Sequence, residues 1–296
     1  MFIRLLILLA VLLLGGPLSC WAEQDGLRIL LTNDDGWDSP GINAVAEALR
    51  AAGHDVTVVA PLTQQSGTGM KITLGELAVV EQRPGVWSVA GSPADAVGVG
   101  LRHILRDKPP ELVVSGANLG QNLGANVTLS GTVGAAMMAV QHGVPAVAVS
   151  VGLELAEAAA EPRFESTLAA FPGAAALTAR LVANLARKRS GELLPSNQIL
   201  NVNYPLLASG RPFGVVWARA SRHGGFSMTY EPGEAGAVIS GMAHNLDGQA
   251  ESITDTGRFA AGYVTLSVLT PDWNADPSAA AAVRARVADV ESLLAP

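Results

Sequence analysis

Residues 27–61 read LRILLTNDDGWDSPGINAVAEALRAAGHDVTVVAP. Leu27 to Thr32, apolar apart from Arg28 and the closing Thr32, reads as a strand buried on both faces. Gly41-Ile42-Asn43 opens a helical repeat with Val45, Ala46 and Leu49 on one face, and Gly53 suits its carboxyl end. Val56 to Ala60 is a second apolar run, stopped by Pro61. Strand, helix and strand in that order form a βαβ unit, which calls for a mostly parallel, doubly wound α/β sheet.

The pattern continues outward. Ile72–Val80 and Val86–Val89 read as a β-hairpin. Ser92-Pro93 reads as the cap and first residue of a helix running to Leu105. Leu112–Val114, Ala146–Val151 and Ile199–Asn203 are further strands. One helix starts at Ser130 or Thr132 and ends at Gly143, and another spans 167–189. From about 207 to 262 the pattern breaks into Gly-rich polar sequence, too long for a plain loop in a compact domain. Tyr263–Leu269 is a last strand and 277–294 a last amphipathic helix.

The chain has 296 residues, 49% of them hydrophobic and 5% aromatic, so its core must be aliphatic. The net charge is -7 and no basic face is visible to neutralise phosphates, so no nucleic acid polymer is expected as a partner. Arg187-Lys188-Arg189 is read as a solvated helix end. Residues 1–22 read as a signal peptide: Arg4, then a run from Leu5 to Leu14 too short to span a bilayer, then Cys20-Trp21-Ala22 with small residues at the cleavage positions. The chain is therefore expected to be exported, to the periplasm, after cleavage behind Ala22. A lipid on Cys20 is the weaker reading, because Pro17 stands where a lipobox wants Leu. No later segment reads as a membrane span, so no stable membrane anchor is expected.

Three loops follow strands: Asn33 to Gly36, Gln64 to Gly69, and Ser115 through Asn126 to Ser130-Gly131-Thr132. In doubly wound sheets, ligands bind at such strand ends. The adjacent Asp34 and Asp35 repel unless a cation lies between them. With Ser and Asn oxygens nearby, the donor set is all hard oxygen, which suits Mg²⁺, Mn²⁺ or Ca²⁺. The plainer alternative is that one aspartate merely caps the turn. Ser130-Gly131-Thr132 before a helix offers amides and hydroxyls to a phosphate, or else Ser130 is an ordinary cap. No dinucleotide fingerprint, P-loop or serine elbow is present, and Gly36 and Trp37 exclude the acid-x-acid pattern of aspartyl-phosphate enzymes. His54, His103 and His142 are read as structural; His223 and His244 could approach a site.

The strings RILLTNDDGWDSPGINAVAEAL (28–49), VTVVAPLTQQSGTG (56–69), GSPADAV (91–97), LVVSGANLGQNLGANVTLSGTVGAAM (112–137), LNVNYP (200–205) and TDTGRFAAGYVTLSVL (254–269) closely resemble the SurE (survival protein) family of nucleotidases. The resemblance implies a Rossmann-like domain with a smaller C-terminal β arm that drives dimerisation. It implies hydrolysis of nucleoside monophosphates, 5′ or 3′, with one divalent metal ion, Mg²⁺ or Mn²⁺. Carried over by position, Asp34, Asp35, Ser66 and Asn118 would be metal ligands. Asn122, Ser130, Gly131 and Thr132 would line the phosphate site, and Asp34, Asp35 and Asn122 would act in catalysis. The chain departs from the family at Leu129, where Tyr is usual, at Ala117, where Ile is usual, and in the arm at 219–235. The expected division is 1–22 signal peptide, 23–206 catalytic domain, 207–262 oligomerisation arm, and 263–296 strand and helix returning to the core. The expected partners are a nucleotide substrate and a second copy of the chain, as a homodimer or higher homo-oligomer. A rival reading is an exported binding protein for a nucleotide or sugar phosphate without catalysis, which would be expected to have two similar lobes.

Overall fold

The structure, a computed structural model, describes residues 26–188, 191–245 and 253–287. The expected signal peptide at 1–22 and the end of the last helix lie outside these residues, as does part of the basic triplet.

Nine strands form one sheet: β1 (Arg28–Thr32), β2 (Asp55–Pro61), β3 (Val79–Arg83), β4 (Val86–Val89), β5 (Leu112–Leu119), β6 (Ala146–Val151), β7 (Ile199–Tyr204), β8 (Val215–Trp217) and β11 (Val264–Leu269). Their order is β3-β4-β2-β1-β5-β6-β7-β11-β8. The six strands from β4 to β7 run parallel, while β3 and β11 are antiparallel to β4 and β7. The expected α/β class is met, and the described residues form one sheet rather than two similar lobes. A separate hairpin pairs β9 (Phe226–Pro232) with β10 (Val238–His244).

Six α-helices accompany the strands: α1 (Pro40–Ala51), α2 (Pro93–Val99), α3 (Gly131–Gln141), α4 (Glu165–Lys188), α5 (Asp255–Ala260) and α6 (Pro277–Arg286). One sheet face is covered by α1 and α4, through Ile42, Val45, Leu49, Phe171 and Val182. The other is covered by α2 and α3, through Ala94, Val97, Val133, Met137 and Val140. With a helix layer on each face, β5, β6 and β7 have almost no solvent side, and their aliphatic runs follow from that. α4 is long and apolar enough to cross a membrane by length and composition, contrary to the expectation of no further such segment. Its apolar stripe is instead spent on the core.

The structure corrects four sequence expectations. The hairpin's first strand begins at Val79, not Ile72. The strand from Leu112 does not stop at Val114 but runs to Leu119 with an irregular register after Ser115, so part of the third loop is strand. The helix from Ser92 runs close to its expected length, but after Val99 it passes from α to π geometry over Gly100–Ile104. The stretch 207–262 is not all arm: β8 joins the main sheet beside β11, and α5 packs near it. Local pattern missed these because a three-residue edge strand and a bulged strand have no clear periodicity of their own.

Candidate active site

β2 and β5 flank β1 on opposite sides, so the connections leave β1 and β5 in opposite directions. That is a topological switch point, where a crevice opens outside the carboxyl ends of the strands. β1 ends at Thr32, just before Asp34 and Asp35, and β5 ends near Asn118. The fold therefore brings the first and third loops together.

Asp34 is almost fully buried. Its Oδ1 accepts a hydrogen bond from the Thr132 hydroxyl at 2.7 Å. Burial pushes its carboxyl above the usual carboxylate range, while hydrogen bonds from Thr132 pull the other way. The close approach depends on Gly131, where a Cβ would lie 2.9 Å from the Asp34 carboxylate. Asp35 Oδ2 accepts from the Leu119 amide at 2.9 Å. Burial first, and then the charge of Asp34, push Asp35 up to about 7. Among the described residues neither carboxylate has an ion-pair partner.

The second loop is fixed to the third. The Gly69 amide donates to the Leu129 carbonyl at 3.1 Å. Gly134 of α3 lets the two backbones touch, since a Cβ there would lie 2.2 Å from the Gly69 oxygen. Ser66 stays exposed, held by Gln64 through a 2.8 Å bond from its amide. The Asn118 side-chain amide donates to the Gly120 carbonyl at 2.6 Å, which leaves Asn118 Oδ1 buried without a partner.

These parts border one cavity of about 560 Å³. Asp34, Ser66, Asn118, Asn122 and Ser130 all line it. Three site expectations are placed differently. Asp35 faces an adjoining depression with Gln64, Leu119 and Arg163. Thr132 is buried against Asp34, and Gly131 backs the same carboxylate. Ser130 does cap α3, accepting from the Val133 amide at 3.0 Å, while also standing on the cavity wall. The plain-cap reading of Ser130 is met, and its place on the cavity wall leaves the site reading open. Of the histidines, His244 lines the cavity and His223 is not among its lining. His54 is structural as expected: its Nδ1 accepts from the Leu27 amide at 3.1 Å, and burial holds its pKa low.

Sequence reasoning named no role for Asn201, Asn203 or Asp255. Asn201 and Asn203 both donate to the Asn122 carbonyl, at 2.9 and 3.1 Å, and Asn203 accepts from the Asn122 amide at 2.7 Å. The Asn122 side chain donates to the Ser150 hydroxyl at 2.9 Å. A signal was present: two Asn at alternate positions share one face of a strand that should be aliphatic. Asp255, fully buried, accepts from the amides of Gly124, Ser221 and Thr256 at 2.8–2.9 Å. It ties the third loop to the segment leading into the hairpin.

The donor set tests well against a hard divalent cation. A buried Asp34 and a part-buried Asp35, neither with a counter-charge among the described residues, and an Asn oxygen without a donor are what an oxygen-ligated ion would satisfy. No group of three or more His, Cys, Asp or Glu among the described residues could hold a metal, so neutral oxygens must complete any such set.

Comparison with known proteins agrees with this geometry. The sequence model of the family described as "Survival protein SurE" matches residues 29–225. A protein of Methanopyrus kandleri named 5'-nucleotidase SurE is 52% identical over 128 residues, covering 42% of this chain and about half, 48%, of that relative. A protein of the same name from Rhodopseudomonas palustris is 35% identical over 253 residues, covering 83% of this chain and 94% of its own length. The crystal structure of the SurE protein from Aquifex aeolicus superposes with a TM-score of 0.72 at 31% identity, covering 88% of this chain and 99% of that one. With the family model matched over residues 29–225 and a 35% identical relative covered over 94% of its length, the chain belongs to the SurE family.

Proposed function

We propose that this chain is a phosphoric monoester hydrolase that acts on nucleoside monophosphates, at the 5′ or 3′ position, with one divalent ion, Mg²⁺ or Mn²⁺. It is an enzyme of the nucleotidase kind. The observation that carries the reading is the pair of buried Asp34 and part-buried Asp35, without a cationic partner among the described residues, beside an unpartnered Asn118 Oδ1.

Asp34, Asp35, Ser66 and Asn118 would hold the ion. Bound there, it supplies Lewis acidity to the phosphoryl oxygens and to water. Asp34 faces the cavity and orients or deprotonates the attacking water. Asp35, turned to the Leu119 amide, fixes the β1 loop and carries charge. Asn122, held by Asn201, Asn203 and Ser150, keeps a fixed position on the cavity wall toward the phosphoryl group, together with Ser130. Gly131 and Thr132 act by setting Asp34 in place. The water oxygen forms the new P–O bond, the ester P–O bond breaks, and the departing alcohol oxygen takes up a proton. No covalent intermediate is required.

Phosphate release from a nucleoside monophosphate, with and without Mn²⁺ and after EDTA, tests the assignment. Turnover that survives EDTA removes the metal reading, and binding without release favours the rival, an exported binding protein.

Export and assembly complete the proposed role of the chain. Residues 1–22 are removed on export to the periplasm, leaving Glu23 first; N-terminal sequencing of the exported form checks this, and a lipidated Cys20 would contradict it. The chain assembles as a homodimer or larger homo-oligomer through 207–262. Trp217 on the edge strand β8 and Ile239 on the hairpin, both well exposed, support that.

A further inference from the structure

The cavity is lined by two chemically different sets of residues. One is polar: Asp34, Ser66, Asn118, Asn122 and Ser130. The other is apolar: Leu129, Leu153, Leu155, Phe226, Met228 and Met242. A volume of about 560 Å³ suits a whole small molecule rather than an inorganic phosphate alone.

Three of these six apolar residues, Phe226, Met228 and Met242, belong to the hairpin. In its ladder Phe226 stands opposite His244, and Met228 opposite Met242. Successive side chains alternate across a strand, so these four share one face, together with Ser240. All five line the cavity. The other hairpin face contributes only Gly241 to the lining, and that residue has no side chain. A ring entering between the leucines and this face would meet a phenyl ring, an imidazole and two thioethers. Thioethers make favourable contacts with aromatic rings and adapt to their shape. Phenyl and imidazole rings stack on planar groups.

We propose that the face of the β9–β10 hairpin bearing Phe226, Met228, Met242 and His244 is the binding surface for the ring of the ester's organic group. This rests on the phosphomonoesterase reading of the polar set. The hairpin thereby selects phosphate esters of ring-bearing alcohols over aliphatic ones. Of the side chains that this face gives to the cavity, only Ser240 and His244 can form hydrogen bonds, so it recognises a flat ring and makes little distinction among bases.

The test uses the full chain with Mn²⁺ and two substrates, adenosine monophosphate and glycerol phosphate. For Phe226→Ala, and separately for the Met228→Ala/Met242→Ala double variant, the ratio of kcat/KM for the nucleotide to that for glycerol phosphate is expected to fall about tenfold or more, mainly through KM. An unchanged ratio overturns the proposal. Adenosine, which has no phosphate, is titrated in parallel by calorimetry. Weaker binding to both variants than to the wild type supports the hairpin surface, and equal binding overturns it. If the wild type releases phosphate from neither ester, the hydrolase reading fails, and the adenosine titration still decides the ring surface.

Discussion

Asp34 on the cavity floor is 2% exposed and bonded to Thr132, whereas Met242 on the opposite wall is 46% exposed and belongs to a two-stranded hairpin outside the main sheet. The floor is built from strand ends whose bodies lie in the core, and Asp34, Asn118 and Asn122 on it are each held by at least one side-chain hydrogen bond. The hairpin wall is held by its own ladder, by the bond from the Phe226 amide to Asn126 Oδ1 at 3.0 Å, and by Asp255 at a distance. A two-stranded ribbon on its own is only marginally stable. The difference teaches a division of labour: groups that must keep fixed geometry sit on the rigid sheet, and groups that need only offer apolar surface sit on the hairpin. Substitutions on the floor should change rate, and those on the hairpin should change preference and association.

The largest expected effect is on the floor. Asp34→Asn should lower phosphate release by about 10²-fold or more, the scale of losing a positioned acid–base group. The metal-free variant should be at least as stable as the wild type, because a buried repulsive pair is relieved. Initial rates and thermal unfolding in EDTA measure both; a variant with near wild-type rate breaks the contrast.

Next comes pH. The folded Asp35 carboxyl lies at about 7, above its ordinary value of about 3.9, so the folded state favours its neutral form. That contribution to stability is present below pH 4 and is lost as pH rises through 7. In EDTA, Asp35→Asn should therefore be more stable than the wild type at pH 8, on the order of 2–3 kcal/mol. At pH 5 the gap should narrow. Saturating Mn²⁺ should reverse the order at pH 8, since only the wild type offers the second carboxylate. Denaturant midpoints at the two pH values check the sign.

Asp255 joins the two regions and should show an intermediate effect. Asp255→Ala leaves three buried amides without an acceptor, at a cost of about 1–3 kcal/mol. Urea unfolding reads the loss. Activity should fall with it, because Gly124 and the approach to the hairpin are held together there.

The smallest folding effect belongs to the hairpin's outer side. Ile239→Asp should change stability by no more than about 0.5 kcal/mol, as for other exposed positions. Light scattering should show weaker assembly. Unchanged assembly would move the interface elsewhere, to β8 or beyond.

The amino-acid sequence by itself determined the α/β class, the order of the parallel strands' helices, and the two aspartates. Aliphatic runs of strand length between amphipathic helices have few other solutions, and adjacent acids at a strand end stand out against them. Ser130 as the α3 cap was legible for the same local reason. The extension of β5 to Leu119, the entry of β8 into the sheet, and the place of Asp35 in a depression beside the cavity were decided by tertiary structure. So were the roles of Asn201, Asn203 and Asp255, whose partners lie 79, 81 and 131 residues away in the chain. Hydrogen bonds across such separations leave no period in the sequence. The folding of the sheet brings those groups within reach, and the cost of leaving them buried without partners keeps them there.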